Sequence, residues 1–216
     1  MSKPLQKALI AGGIAFSSFA SPAISGEKGF YGTVGIGGAG FEDTNWNFNT
    51  GGTAYDGQFK YNSGFAWEGG LGYDFGRVRT EITYTQAEAE LGVATINQTN
   101  GGSISSTGGV TVSGVVASAF FDITKDTAIT PYIGGGIGSF NIDADDGTIG
   151  GTSVTGSEES SFGYQVKLGA SMPLGSTNHD LYAEMSYLGL EDVTVNGVNY
   201  SGLGGYGALA GLKFRF

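Results

Sequence analysis

Hydrophobic and polar residues alternate at period two along most of this chain, and eight segments hold the alternation long enough to form membrane-crossing strands. The first begins near Gly29, with Phe30, Val34 and Ile36 on one face and Thr33, Gly35 and Gly37 on the other. In the second, Phe65, Trp67, Leu71, Tyr73 and Phe75 oppose Ala66, Glu68, Gly70, Gly72 and Asp74. A tight turn at Gly76 leads to the third, where Val78, Thr80, Ile82 and Tyr84 oppose Arg77, Arg79, Glu81 and Thr83. The fourth sets Val115, Ala117, Ala119 and Phe121 against Val116, Ser118, Phe120 and Asp122, and the fifth sets Pro131, Ile133 and Ile137 against Tyr132, Gly134, Gly136 and Gly138. Phe162, Tyr164, Val166, Leu168 and Ala170 face away from Gly163, Gln165, Lys167 and Gly169 in the sixth. The seventh has Leu181, Ala183, Met185 and Tyr187 against Tyr182, Glu184 and Ser186. The last runs to the C-terminus, with Tyr206, Ala208, Ala210, Leu212, Phe214 and Phe216 opposite Gly207, Leu209, Gly211, Lys213 and Arg215.

One face of these strands carries no charge, while the other carries Glu68, Asp74, Arg77, Arg79, Glu81, Asp122, Lys167, Glu184, Lys213 and Arg215. A charge facing the bilayer midplane costs about 2–4 kcal/mol, so this segregation predicts an all-β, eight-stranded antiparallel up-and-down transmembrane β-barrel. Strands of about 9–11 residues suffice for a tilted crossing. Charges confined to a narrow interior need partners. Glu68, Arg79, Glu81, Lys167, Glu184 and Lys213 are therefore expected to form an interior polar network of ion pairs and water bridges. Short links at Gly76, 124–128 and 173–179 alternate with long polar ones at 41–63, 86–109, 141–160 and 190–204. Short periplasmic turns and long external loops give that asymmetry.

The N-terminus supplies an address. Lys3 and Lys7 precede an apolar run from Ala8 to Ala20, and the small residues Ser21, Ala23 and Ser25 follow. That order predicts a cleaved secretory signal peptide over 1–25 and a barrel domain over 26–216, with cleavage after Ala23 or Ser25 fitting equally well. The run is too short for a membrane span. Losing Lys3 and Lys7 leaves 8 basic against 20 acidic residues, so the net charge moves from −10 to −12. Such a surface repels nucleic acid and anionic lipid. Cysteine is absent, which excludes disulfides, thiol chemistry and a lipid anchor on Cys. The long links hold twelve acids (Glu42, Asp43, Asp56, Glu88, Glu90, Asp143, Asp145, Asp146, Glu158, Glu159, Glu191 and Asp192) against one base, Lys60.

Taken together, Gly29-Phe30-Tyr31, Leu71-Gly72-Tyr73-Asp74-Phe75, Arg77-Val78-Arg79-Thr80-Glu81, the run from Pro131 to Gly138, and the Phe214-Arg215-Phe216 ending carry a resemblance. From Gly29 to Phe216, long loops aside, the chain resembles the opacity-type and outer-membrane-protein-A-type family of eight-stranded outer-membrane β-barrels, porin-like surface antigens among them. The resemblance implies a location in the outer membrane of a Gram-negative-type envelope, with outer-membrane lipid around the barrel. It also implies an insertion signal at Leu212, Phe214 and Phe216, read by the barrel-assembly machinery. No peptidoglycan-binding domain follows the barrel, so a wall-anchoring role is not expected. Similar barrels serve as adhesins, envelope stabilisers and enzymes, so architecture alone does not give activity.

Candidate chemistry is sparse. The only histidine, His179, lies in a short periplasmic turn beside Asn178 and Asp180, away from the long loops where rim chemistry would occur. The acid pairs Asp145-Asp146, Glu158-Glu159 and Glu191-Asp192 read as loop-solvating residues. Asn141, Asp143, Asp145 and Asp146 gather oxygen ligands, but without the Gly at position six and Glu at position twelve of a dedicated calcium loop. The expectation is a monomeric, non-enzymatic surface protein without cofactor, metal or nucleic-acid partner. Its acidic loops are expected to be exposed for adhesion or interaction with an extracellular partner, and its barrel to contribute to envelope structure. A small porin-like channel is the alternative, since interior glycines could leave water pockets. A soluble lipocalin-like barrel would need the uncharged face inside, whereas the signal peptide and terminal Phe place lipid outside.

Overall fold

The computed structural model describes residues 28–50, 53–96, 103–125, 127–149, 152–195, 198–200 and 204–216. The expected signal peptide over 1–25 lies outside them. Eight long strands form the staves of a barrel, in chain order Gly29–Phe41, Gly64–Asp74, Val78–Ile96, Gly109–Asp122, Thr130–Ala144, Ser157–Pro173, His179–Leu190 and Gly204–Arg215. Each pairs antiparallel with its neighbours in sequence. The first and eighth close the cylinder, in register from Tyr31 opposite Arg215 to Phe41 opposite Gly205. Closure satisfies every stave's main-chain groups within lipid, which an open sheet cannot do.

The faces follow the alternation on all eight staves. Phe30, Leu71, Ile82, Val115, Ile137, Leu168, Met185 and Tyr206 point outward. Glu68, Arg79, Glu81, Asp122, Lys167, Glu184 and Lys213 are buried inside. The uncharged face therefore meets lipid, and the lipocalin-like arrangement, with that face inward, is not what the chain adopts. Aromatics collect at two heights, Tyr73 and Phe75 near one end and Phe65 and Trp67 near the other on the same stave. Eight residues separate Tyr73 from Phe65, about 20 Å along the axis at about 3.3 Å per residue and a tilt near 40°. That covers most of the roughly 25 Å apolar band of such a barrel.

Several inward glycines have a packing reason. A Cβ on Gly72 would collide with the ring of Tyr31 and the carbonyl of Thr80, one on Gly169 with Tyr132, and one on Gly134 with Phe120. Inward rings thus lie flat over glycines of the adjoining stave. Eight staves leave an interior just wide enough for side chains, and these rings occupy it.

The end carrying residues 28 and 216 also carries the short turns at 75–77 and 174–178 and the described turn residues 123–125 and 127–129. Gly76 adopts φ +118° and its N–H donates to Asp74 Oδ1 at 2.7 Å, and Gly175 adopts φ +62°. Any residue with a Cβ would strain both positions.

The opposite end departs from the expectation of long loops on staves of 9–11 residues. The staves run to 11–19 residues, because most of the links continue as strand above the membrane. Val193–Val195, Val198–Tyr200, Thr44–Thr50, Thr53–Tyr61, the top of the third stave, Ser103–Thr107, Gly147–Ile149 and Thr152–Val154 pair in that order into one external sheet. The links are polar, but they form a β-structured crown.

Candidate functional site: the filled lumen and the acidic crown

The lumen is filled in three layers. Nearest the periplasmic end, Arg215 Nη2 lies 2.6 Å from Asp180 Oδ2, and Lys213 Nζ lies 3.8 Å from the same oxygen. Lys125 in the second turn reaches Asp74 at 3.4 Å. Arg79 donates from Nε to Asp122 Oδ1 at 3.0 Å, and its guanidinium lies within 5 Å of the ring centroids of Phe120 and Tyr132. Tyr31 receives two cations, Arg79 at 5.9 Å and Lys213 at 5.5 Å from its ring centroid. Arginine suits this setting, since its flat, weakly hydrated cation stacks on rings while pairing a carboxylate.

The middle layer turns on Lys167, which is 1% exposed. Its Nζ donates to Glu68 Oε2 at 2.7 Å and stands 2.9 Å from Glu184 Oε1. The second contact is one of charge only, because the Glu184 oxygen is off the hydrogen-bonding direction. Tyr182 donates to Glu68 at 3.1 Å and Tyr132 to Glu184 at 3.0 Å. Two buried carboxylates thus share one ammonium and two phenols. Above this layer the lumen becomes apolar, with Phe41, Val112, Val116, Phe140 and Leu190 packed together.

The six interior charges read from the sequence are partnered in different ways. Glu68, Lys167 and Glu184 meet directly. Arg79 pairs with Asp122, Lys213 approaches Asp180, and Glu81 accepts a hydrogen bond from Thr83 Oγ1 at 2.8 Å. Sequence reasoning missed Asp74, Asp122, Asp180 and Lys125 as countercharges, Tyr132 and Tyr182 as donors, and Tyr31 as the ring that meets two cations. Parity placed Asp74, Asp122, Tyr132 and Tyr182 on the inward face, and that was the available signal.

Leu212, Phe214 and Phe216 occupy the outward row of the eighth stave. Phe214 stacks edge-on against His179 at 5.1 Å, and the Phe216 N–H donates to the Phe30 carbonyl at 3.1 Å. His179 therefore sits at the periplasmic rim, on the opposite end from the crown.

The crown places three of its acids in one row. Register sets Glu88 beside Thr111, Thr111 beside Asp143 and Asp143 beside Glu158, all on the outer face. A polar row of Gln86, Ser113, Asn141 and Ser160 lies directly beneath. Asn141 Oδ1 accepts from Ser160 Oγ at 2.9 Å, and Asp146 Oδ1 accepts from the Gly156 N–H at 2.7 Å. Among the described residues no His, Cys, Asp and Glu side chains group to hold a metal ion, Asp143, Asp145 and Asp146 included.

Comparison with known families and structures agrees with this geometry. A family model described as outer membrane protein beta-barrel domain matches residues 10–216. Comparison with curated proteins finds no match. Among solved structures, Neisserial surface protein A is similar over 88% of this chain and 99% of its own, with 20% identity and a TM-score of 0.55. The outer membrane protein OprG of Pseudomonas aeruginosa is similar over 90% and 99%, with 14% identity and a TM-score of 0.54. The outer membrane protease OmpT of Escherichia coli is similar over 92% and 100%, with 8% identity and a TM-score of 0.51. At such identities the likeness is one of fold.

Proposed function

Since the chain belongs to the outer membrane protein β-barrel domain family and resides in the outer membrane, we propose that it is a non-enzymatic surface protein. Its acidic crown engages cationic groups on an extracellular partner, and its barrel is a closed structural element of the envelope. The observation that carries this reading is the crown's charge. Twelve acids stand there against Lys60 alone, and ten of the twelve are exposed. Plain hydration of mobile loops needs no such order, whereas here six of the acids stand on paired strands and Glu88, Asp143 and Glu158 share one row. The lumen supports a closed barrel rather than a channel, since ion pairs, inward rings and an apolar layer succeed one another along it. The only histidine is at the other end, so no imidazole stands near the crown to support rim hydrolysis.

Binding of this kind is electrostatic and salt-sensitive. Cells displaying the protein should retain immobilised polylysine better than cells lacking it. The difference should collapse as ionic strength rises past about 0.15 M, where the Debye length falls below about 8 Å. Equal retention by both cells at low salt would overturn the crown reading. Planar bilayers containing the purified barrel should show no large, steady conductance, and such a conductance would revive the channel.

The C-terminal row has its own test. Leu212, Phe214 and Phe216 form the apolar surface offered to the assembly machinery and then to lipid. Deleting Phe216 should lower the amount inserted in cells several-fold while the purified chain still folds in detergent. Unchanged insertion would remove the signal role.

A further inference from the structure

We infer that the sixth stave carries, above the membrane, an open strand edge that binds an extended basic polypeptide by β-strand addition. This inference rests on the acidic-crown reading and names the form its partner takes. The sixth stave runs from Ser157 to Pro173, but its pairing with the seventh ends at Gly163 opposite Leu190, with one further main-chain bond from the Glu191 N–H to the Phe162 carbonyl at 3.0 Å. On its other side the stave stays paired up to Ser157 opposite Ala144. Residues 157–161 are therefore anchored on one side, and among the described residues no strand pairs with the other. Five residues span about 16 Å of edge.

The direction of the main-chain groups follows from the ladder. In an antiparallel pair, a residue whose carbonyl accepts from its opposite neighbour turns both its main-chain groups that way, and the residues two apart do the same. Phe162 faces the seventh stave in this manner, so Ser160 and Glu158 turn their N–H and C=O groups to the open side. Such an edge is a template for another strand.

Charge selects what can use it. Glu158 and Glu159 lie on the edge, Asp143 stands beside Glu158, and Glu191 closes the foot of the slot. Two copies of this chain meeting edge to edge would oppose these acids to one another, which like-charge pairing disfavours. A strand with lysine or arginine at alternate positions instead places a cation next to Glu158 and extends the row that begins at Glu88. Val193–Val195 comes beside the edge but pairs with Val198–Tyr200, and among the described residues that strand pair joins the crown's ladder through Asn199 with Asn47 and Tyr200 with Trp46. It is the element an incoming strand would shift.

The test uses the full barrel in lipid nanodiscs and a ten-residue peptide alternating lysine with valine. A peptide of the same sequence, N-methylated at two adjacent central residues, keeps the charge but loses strand pairing in either register. The first should bind saturably at low salt, and the second at least ten-fold more weakly. Ser160→Pro removes one N–H aimed at the open side and none from the ladder with the fifth stave, so the barrel should fold normally and lose ten-fold or more in affinity. Glu158→Lys should weaken binding more than the equal charge change Asp43→Lys on another part of the crown. If both peptides bind alike and Ser160→Pro has no effect, strand addition is wrong and the crown acts as a diffuse charge. If neither peptide binds, the edge site and the acidic-crown reading both fall.

Discussion

Replacing Lys167 with Met should destabilise the barrel by about 3–5 kcal/mol, the usual cost of removing one partner from a buried charge pair. Methionine fills much of the same space, so the loss reports charge rather than a cavity. Glu68 and Glu184 are both buried, and without the ammonium they repel each other across a lumen with little water to screen them. The phenols of Tyr182 and Tyr132 remain as single donors and cannot replace a full countercharge. Unfolding by urea in lipid vesicles measures the loss, and the heat-dependent gel mobility expected of a closed barrel should collapse at a lower temperature. The triple variant Lys167→Met, Glu68→Gln, Glu184→Gln should recover most of the stability, because the neutral amides keep the tyrosine hydrogen bonds without a buried charge. A Lys167→Met loss below about 0.5 kcal/mol would mean that the lumen is wet and each group is separately hydrated.

What could be read before the structure was the part that lipid enforces. A bilayer on one side and a confined lumen on the other impose a contrast at period two, and each stave's facing followed from it, including the fourth, where Val116 turns inward into the apolar layer and Phe120 against Arg79. Pairing within the lumen was beyond reach for a geometric reason. Alternation tells which face a residue takes but not its height or its neighbour. Lys167 on the sixth stave meets Glu68 on the second, 99 residues away in sequence, by crossing the narrow interior. Asp180 was placed in a turn, although it is the second residue of the seventh stave, opposite Lys213.

The crown was misread for the opposite reason. Above the membrane no lipid enforces the contrast, so its strands looked like polar loops. Their local signals were nevertheless present. Asn45, Asn47 and Asn49 alternate with Trp46 and Phe48, and Asn196-Gly197 between two short Val-rich runs is a strong hairpin turn signal. The strands at 44–50, 193–195 and 198–200 carry those signals into the external sheet. The acid row through Glu88, Asp143 and Glu158 exists because the third to sixth staves stay paired above the membrane.

The outer face offers the second large effect. Ile82 is 64% exposed, lies opposite Leu71 on the second stave and Ala117 on the fourth, and is near the middle of the apolar band. Ile82→Arg should cost about 2–4 kcal/mol of folding free energy in bilayers, because the guanidinium must face hydrocarbon or drag water and headgroups towards it. Gln86 is on the same stave and the same outward row, four residues nearer the crown, and donates to Glu88 at 3.0 Å. Gln86→Arg should cost about 0–1 kcal/mol, since it sits at the interface and keeps a donor for that carboxylate. Both variants add one positive charge to one strand, so the difference between them isolates depth in the membrane. Titration with urea in vesicles of matched lipid would measure it. Equal costs at the two positions would mean that Ile82 does not face the hydrocarbon, and that the apolar band lies elsewhere along the staves.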